Sequence, residues 1–317
     1  MLLLATTAYL GGFLPGHYLR RVDRLVLHAN SRNEDSRWRD IFESVTMSFS
    51  DQQLVTGLAI LVAGYCEMLN NNLSVYHWTI VVYLAWMSSA VHIASLTLLK
   101  DVFNKRPWLR NIRVAGMLAL FTLLAVAMWP LRRMYVPQST PVRCLWGSRN
   151  WNTDHETSFE ASLDPNWALS VTMLLVAYVW KISQLFSSSR GWVRRWLVAE
   201  PQAATERLMR RLVLNHRPKW LTRPAYFSLT HCYIIAVVFT EMAECFVAVL
   251  MYLCLALLWG AVCIFNARKY IPADVKDGES RLTFGQLVPL FLLVLPGLST
   301  FGLFASKCTI LRHSFTC

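Results

Sequence analysis

Residues Gln53–Leu99 read QLVTGLAILVAGYCEMLNNNLSVYHWTIVVYLAWMSSAVHIASLTLL, and this stretch decides the fold. It holds two apolar runs, Gln53–Leu69 and Tyr76–Leu99, of 17 and 24 residues. A helix needs roughly 20 such residues to cross a hydrocarbon core. Only Asn70–Val75 separates the runs, six residues that leave no choice but an antiparallel helical hairpin. Across both runs the ionisable side chains that stand out are Glu67, His77 and His92. Ser50 stands three positions before Gln53, the spacing at which two side chains each satisfy a free backbone N–H, so the first helix is expected to begin there.

Working outward, apolar runs recur at Val114–Leu131, Asn166–Phe186, Ala225–Asn266 and Phe284–Ala305. The chain has 317 residues, 55% hydrophobic and only 16% charged, well to the apolar side of a soluble domain. The expectation is an all-α polytopic transmembrane bundle, one membrane domain over residues 1–317, with six spans and a short N-terminal seventh at Met1–Leu14. Fourteen residues are few for a span, so that segment reads as a marginal first helix, with a truncated start as the alternative. Ala225–Asn266 is too long for one crossing: its 42 residues would make about 63 Å of helix. Either it turns near Glu241–Glu244 or one helix projects past the membrane. No Gly, Pro or Asn punctuates that tetrapeptide, which favours the single long helix. Pro289 and Pro296 should kink the last span.

The net charge of +12 lies between the apolar runs, without the stacked aromatics and basic groove of a nucleic-acid binder. It sets orientation instead. Residues 15–50 form a polar N-terminal connector with six Arg, 100–113 carry a net +4, and 187–224 hold nine basic and two acidic residues. These read as cytoplasmic. The loop at 132–165 is neutral and falls outside, flanked by Trp129 and Trp167 as interfacial markers. The N-terminus is then outside or lumenal and the C-terminus cytoplasmic, in an endomembrane or the plasma membrane. Asn72 opens a glycosylation sequon in the outer turn. The partner is the lipid bilayer. In the basic 187–224 loop, Ala204, Leu208 and Leu212 repeat every four residues beside Arg207, Arg210 and Arg211, a pattern for an interfacial helix on anionic lipid headgroups; a solvated orienting loop is the plainer reading.

Ionisable groups within lipid are the natural leads to chemistry, because a charge at the bilayer centre costs about 2.5–3.5 kcal/mol on insertion scales. Glu67 shares a face with Ile60, Ala63 and Gly64, which a close helix could cover, and His77 begins the partner helix at the same depth. Ala85, Ser88, His92 and Ser95 form a narrow small-and-polar stripe that should face protein. Glu241 and Glu244 are one turn apart; a neutral carboxyl in an apolar cavity could act as an acid. Each has a structural counterpart: a packing histidine, an interfacial hydrogen bond, a hydrated turn.

No zinc-protease, di-iron, prenyl-diphosphate, phosphate-loop or serine-hydrolase signature is present, so no cofactor or metal is expected. Asp274, Asp277 and Glu279 lack the spacing of a calcium loop. Of eight cysteines, Cys66, Cys232, Cys245, Cys254 and Cys263 lie in apolar runs as small hydrophobes, and there is no CxxC pair.

The runs Phe49–Gly57, Ser74–His77, Arg110–Met117 and Phe284–Pro289 resemble a large group of fungal polytopic membrane proteins, with similarity from about Arg39 onward. The resemblance implies a fungal multi-pass protein of around seven helices and carries no assigned activity. The expected role is therefore a sensor, carrier or scaffold, and the alternative is a membrane-embedded cyclase or isomerase acting by acid catalysis on a lipophilic metabolite.

Overall fold

The computed structural model describes residues 2–10, 23–24, 36–70, 73–98, 107–132, 139–147, 164–186, 200–214 and 245–269, with scattered positions between 191 and 238. The described elements are helical: α1 (Leu2–Leu10), α2 (Ser36–Leu69), α3 (Val75–Leu98), α4 (Pro107–Met128) followed by a 3-10 turn (Trp129–Arg132), α5 (Val142–Gly147), α6 (Pro165–Leu185), α7 (Glu200–Leu214) and α8 (Phe246–Lys269). Four stretches are long and apolar enough to cross a membrane: Glu43–Leu69, Val75–Leu96, Pro107–Arg132 and Phe246–Lys269. The all-helical membrane architecture is thus present, with four such helices among the described residues against the six expected. α6 occupies the place of another expected span. The expected last span, Phe284–Ala305, lies outside the described residues.

The described residues divide into two compact units, one drawn from 36–178 and 253–269, the other from 2–35 and 179–252. In the first, α2 and α3 form the antiparallel hairpin the short turn demanded. Paired positions run in opposite directions at equal pace: Ser50 meets His92, Gln53 meets Ser88, and Gly64 meets Val81. On α2 the buried positions Leu54, Gly57, Leu61, Gly64 and Met68 alternate steps of three and four, the stripe of helices crossing at a shallow angle. Glycines bring the backbones close. A Cβ at Gly57 would stand 3.1 Å from Ser88 Oγ and 3.3 Å from Leu120 of α4, and one at Gly116 would stand 3.0 Å from Leu54.

Three boundaries differ from the sequence expectation. α2 does not start at Ser50 but at Ser36. No Gly or Pro interrupts 36–56, so nothing stops the helix from extending, and the Ser50 hydroxyl is engaged by another helix instead of capping its own. α4 begins at Pro107, not Val114. Proline suits the first helical position because its missing N–H would be unsatisfied there anyway. The undivided helix expected over 225–266 is broken: Cys245 is a bend and α8 starts at Phe246. The cause lies in the second unit, where the buried carboxylate of Asp23 accepts hydrogen bonds from the backbone N–H groups of Phe246 and Val247, both at 3.1 Å. An anion on the first free N–H groups is how a helix begins, since it satisfies donors and meets the positive end of the dipole. Tyr9 of α1 stacks on Phe246 at 5.2 Å beside it.

α3 is the most enclosed of the four apolar helices, with 72% of its most apolar stretch buried against 28–39% in the others. Its polar side chains reach every neighbour. Trp78 Nε1 donates to Ala127 O of α4 at 2.9 Å, Trp86 Nε1 donates to Ser170 O of α6 at 3.2 Å, and Ser89 Oγ lies 2.8 Å from the Tyr178 hydroxyl. Trp259 of α8 donates to Ser170 Oγ at 2.8 Å. In lipid the apolar effect does not hold helices together, so bonds of this kind and close small-residue packing carry the association.

At one end of this unit the α2–α3 turn and the segment before α5 are clipped together. Val75 N donates to Thr140 O at 2.9 Å and Val142 N to Leu73 O at 3.0 Å, a single antiparallel bridge of Ser74 with Pro141. Asp164 N donates to Arg132 O, and Trp167 Nε1 to Met128 O at 2.8 Å, joining the α4 and α6 ends at the same place in the chain path. Trp129 stays exposed under the Arg132 guanidinium, 3.9 Å from its ring centroid.

Candidate functional site

The stripe Ala85, Ser88, His92 and Ser95 is buried, as the spacing on α3 predicts for a face turned to protein. At its end lies a polar knot built by three helices. His92 is fully buried, and its Nδ1 stands 2.9 Å from both the hydroxyl and the carbonyl oxygen of Ser50 on α2. Ser95 Oγ, one turn on, sits 2.6 Å from Ser50 Oγ and 2.6 Å from His92 O. A carbonyl only accepts, so with the proton on Nδ1 the ring donates to Ser50 O and Nε2 is left as a bare lone pair. That Nε2 is buried without a hydrogen-bond partner.

One residue beyond Ser50, the Asp51 carboxylate accepts from the Arg113 guanidinium of α4 at 2.5 Å. The pair is asymmetric: the Arg113 side chain is 5% exposed and that of Asp51 is 50% exposed. The arginine is thus held inside the unit and the carboxylate faces out. Ser88 donates to the backbone oxygen of Gln53 a turn deeper. Together α2, α3 and α4 are cross-linked by an imidazole–hydroxyl–hydroxyl chain, His92 to Ser50 to Ser95, beside an ion pair.

Of the other leads from the sequence, Glu67 and His77 do not join this knot. Glu67 is exposed, not covered, because it falls off the stripe Leu61–Gly64–Met68 that meets α3, and Ala63 on its face is exposed as well. It lies 17 residues from Ser50 on the same helix, about 25 Å at 1.5 Å per residue. His77 is absorbed by the start of α3: Ser74 Oγ accepts from the His77 backbone N–H at 3.4 Å and lies 2.8 Å from its Nδ1, an N-cap. Fifteen residues separate His77 from His92, about 22 Å along α3. Glu241, Glu244 and Asn72 lie outside the described residues. Cys144 is a free, exposed thiol.

Sequence reasoning found His92 and Ser95 but not Ser50, Asp51 and Arg113. Those three sat at the edges of presumed loops, where a serine reads as a cap and charges read as orientation signals. Their placement required knowing that α2 extends about five turns and α4 about two turns beyond the apolar runs. Among the described residues no cluster of three or more His, Cys, Asp or Glu side chains could hold a metal.

The chain is 28% identical over 189 residues to the elsinochromes biosynthesis cluster protein HP2 of Elsinoe fawcettii, covering 54% of this chain and 48% of that protein. It is 32% identical over 94 residues to the elsinochromes biosynthesis cluster protein HP3 of the same fungus, covering 30% of this chain and 36% of that protein. The chain thus matches half or less of the length of these curated relatives. No family model and no solved structure matches it.

Proposed function

From its likeness to two fungal cluster proteins, we propose that this chain is a multi-pass integral membrane protein of the resembled fungal group, serving the production of a specialised metabolite as a carrier, sensor or scaffold without bond-making chemistry of its own. Four helices of spanning length and composition support the membrane placement. The relatives' names tie them to a biosynthesis cluster and supply the metabolic context.

One observation carries the non-enzymatic part: the described ionisable leads are separated along the bundle, with Glu67 and His77 more than about 20 Å of helix from His92. Acid catalysis on a greasy substrate needs at least two such groups around one enclosed site. The knot at His92 instead binds helix to helix, as hydroxyl and imidazole groups do in membrane bundles.

The test is deletion of the gene in the fungus that carries it, with metabolites measured separately in cells and medium. The expected result is an altered amount or distribution of a finished product. Accumulation of an unconverted precursor that disappears on complementation would overturn the reading and favour the cyclase or isomerase alternative.

A further inference from the structure

We propose that α7 is a membrane-surface helix that lies on the leaflet flanking its neighbouring spans and binds the anionic headgroups of acidic phospholipids. The proposal rests on the membrane placement above and adds a lipid class to it.

The segment 187–224 carries nine basic residues and two acidic ones, a net charge of +7. Both acids are engaged within it: Glu200 lies 3.8 Å from Arg195 and 3.8 Å from Arg207, and Glu206 accepts from Arg210 at 2.8 Å. The Glu206–Arg210 pair links neighbouring turns, the Glu200–Arg207 pair spans two, the Glu200–Arg195 pair lies at the entry to the helix, and the surplus positive charge remains. The helix forms over Glu200–Leu214, with the glutamate at its first position favoured by the dipole.

One face is apolar, and its described side chains are unburied. Ala204 is exposed and Leu208 is 47% exposed, and the four-residue spacing puts Leu212 in line with them. Arg207 and Arg210, both exposed, flank that stripe, and Arg211 falls beside them by spacing. An Ala–Leu–Leu stripe bordered by guanidinium groups is narrow for a helix–helix seam. It suits the boundary between headgroups and acyl chains, where the apolar face dips in and the basic flanks meet phosphate and carboxylate. Trp192, 63% exposed, precedes the helix, and Trp196 and Trp220 stand on either side of it in sequence, the residue type that settles at that boundary. Charge complementarity selects acidic lipid as the occupant.

The test uses the full chain reconstituted in nanodiscs of phosphatidylcholine, with or without a third of phosphatidylserine, and follows deuterium uptake across 203–210. Uptake is expected to fall severalfold in the phosphatidylserine discs and to recover at about 1 M salt, where the screening length shrinks to about 3 Å. Inorganic phosphate added to phosphatidylcholine discs should give no protection. The triple variant Arg207→Gln, Arg210→Gln, Arg211→Gln should lose the lipid dependence, and the same three positions changed to Lys should retain it, since a point charge suffices. Equal uptake in both discs, protection that survives the Gln variant, or loss in the Lys variant overturns the proposal. A chain that fails to enter either disc overturns the membrane placement itself, a separate outcome.

Discussion

His92 sits where a neutral imidazole can be useful to a bundle and awkward to replace. Its Nδ1 closes a chain through Ser50 to Ser95, and the ring fills a fully buried position. Interhelical hydrogen bonds in membranes are worth about 0.6 kcal/mol on average and at most about 1.7. The cavity left by a truncated ring adds to that. His92→Ala should therefore destabilise the protein by roughly 2–3 kcal/mol and Ser50→Ala by about 1. In a double-mutant cycle read by detergent-unfolding titration, the pair should couple by about 0.5–1.5 kcal/mol; additive effects would mean that the hydroxyl and the ring do not act together. The Arg113–Asp51 pair makes a second prediction from its asymmetric exposure. Removing the carboxylate strands the enclosed guanidinium without its counter-charge, whereas removing the arginine leaves a half-exposed carboxylate that water can serve. Asp51→Ala should therefore cost about 2–3 kcal/mol and Arg113→Ala, which loses packed stem but strands no charge, about 1–2 in the same titration; an Asp51→Ala cost below about 0.5 kcal/mol would refute this account. Sequence spacing identified His92 and Ser95 because both lie on one stripe of a single helix. Ser50 and Arg113 were not legible, because their meaning depends on which turns of three separate helices stand level.

At the scale of the element, close approach is what the glycines provide, and their neighbours decide what a methyl group would cost. A Cβ at Gly64 would stand 2.7 Å from Val81 Cγ1, and valine is stiff at χ1 and cannot swing away. A Cβ at Gly260 would stand 2.4 Å from Met87 Cγ, near the root of that side chain, so only a change of rotamer would clear it. Gly64→Ala and Gly260→Ala should thus each lower stability by about 1–2 kcal/mol despite the better helix propensity of alanine. Thermal unfolding in detergent would measure both, and a gain in stability at either position would contradict the close approach of the backbones. α8 makes the other elemental prediction: with Asp23 on its first two free N–H groups, Asp23→Ala should cost about 1–2 kcal/mol and raise amide exchange at 246–249. Unchanged exchange there would refute the capping role. Helix type and the α2–α3 hairpin were readable from period and turn length alone. Helix ends were not. At Ser50 a local capping pattern yielded to an uninterrupted helical chain, and at Cys245 an uninterrupted apolar run yielded to a carboxylate supplied by a residue more than two hundred positions earlier.

For the molecule as a whole, the bias of Arg and Lys across loops predicts sidedness. The clipped end of the first unit carries the neutral 132–165 loop, so the exposed thiol of Cys144 should react with an impermeant maleimide from the outer or lumenal side. A cysteine introduced at Ala204, in a background with the native cysteines removed, should react only after permeabilisation. Both should stay with the membrane pellet in alkaline carbonate, and the opposite pattern of labelling would invert the topology. Composition made the membrane environment plain, since 55% hydrophobic residues arranged in long runs have few other homes. It could not supply a role, because hydroxyl, imidazole and indole groups that knit helices are the same groups that enzymes use.

The dependence of α8 on Asp23 also bears on how this protein can be handled. A start codon placed downstream of residue 24, or a protease cut there, would remove more than a short leader: it would leave a helix two hundred residues away without its first hydrogen-bond acceptors. Affinity tags are therefore better carried at the other terminus, and a shortened transcript should be read as encoding an altered bundle, not a trimmed one.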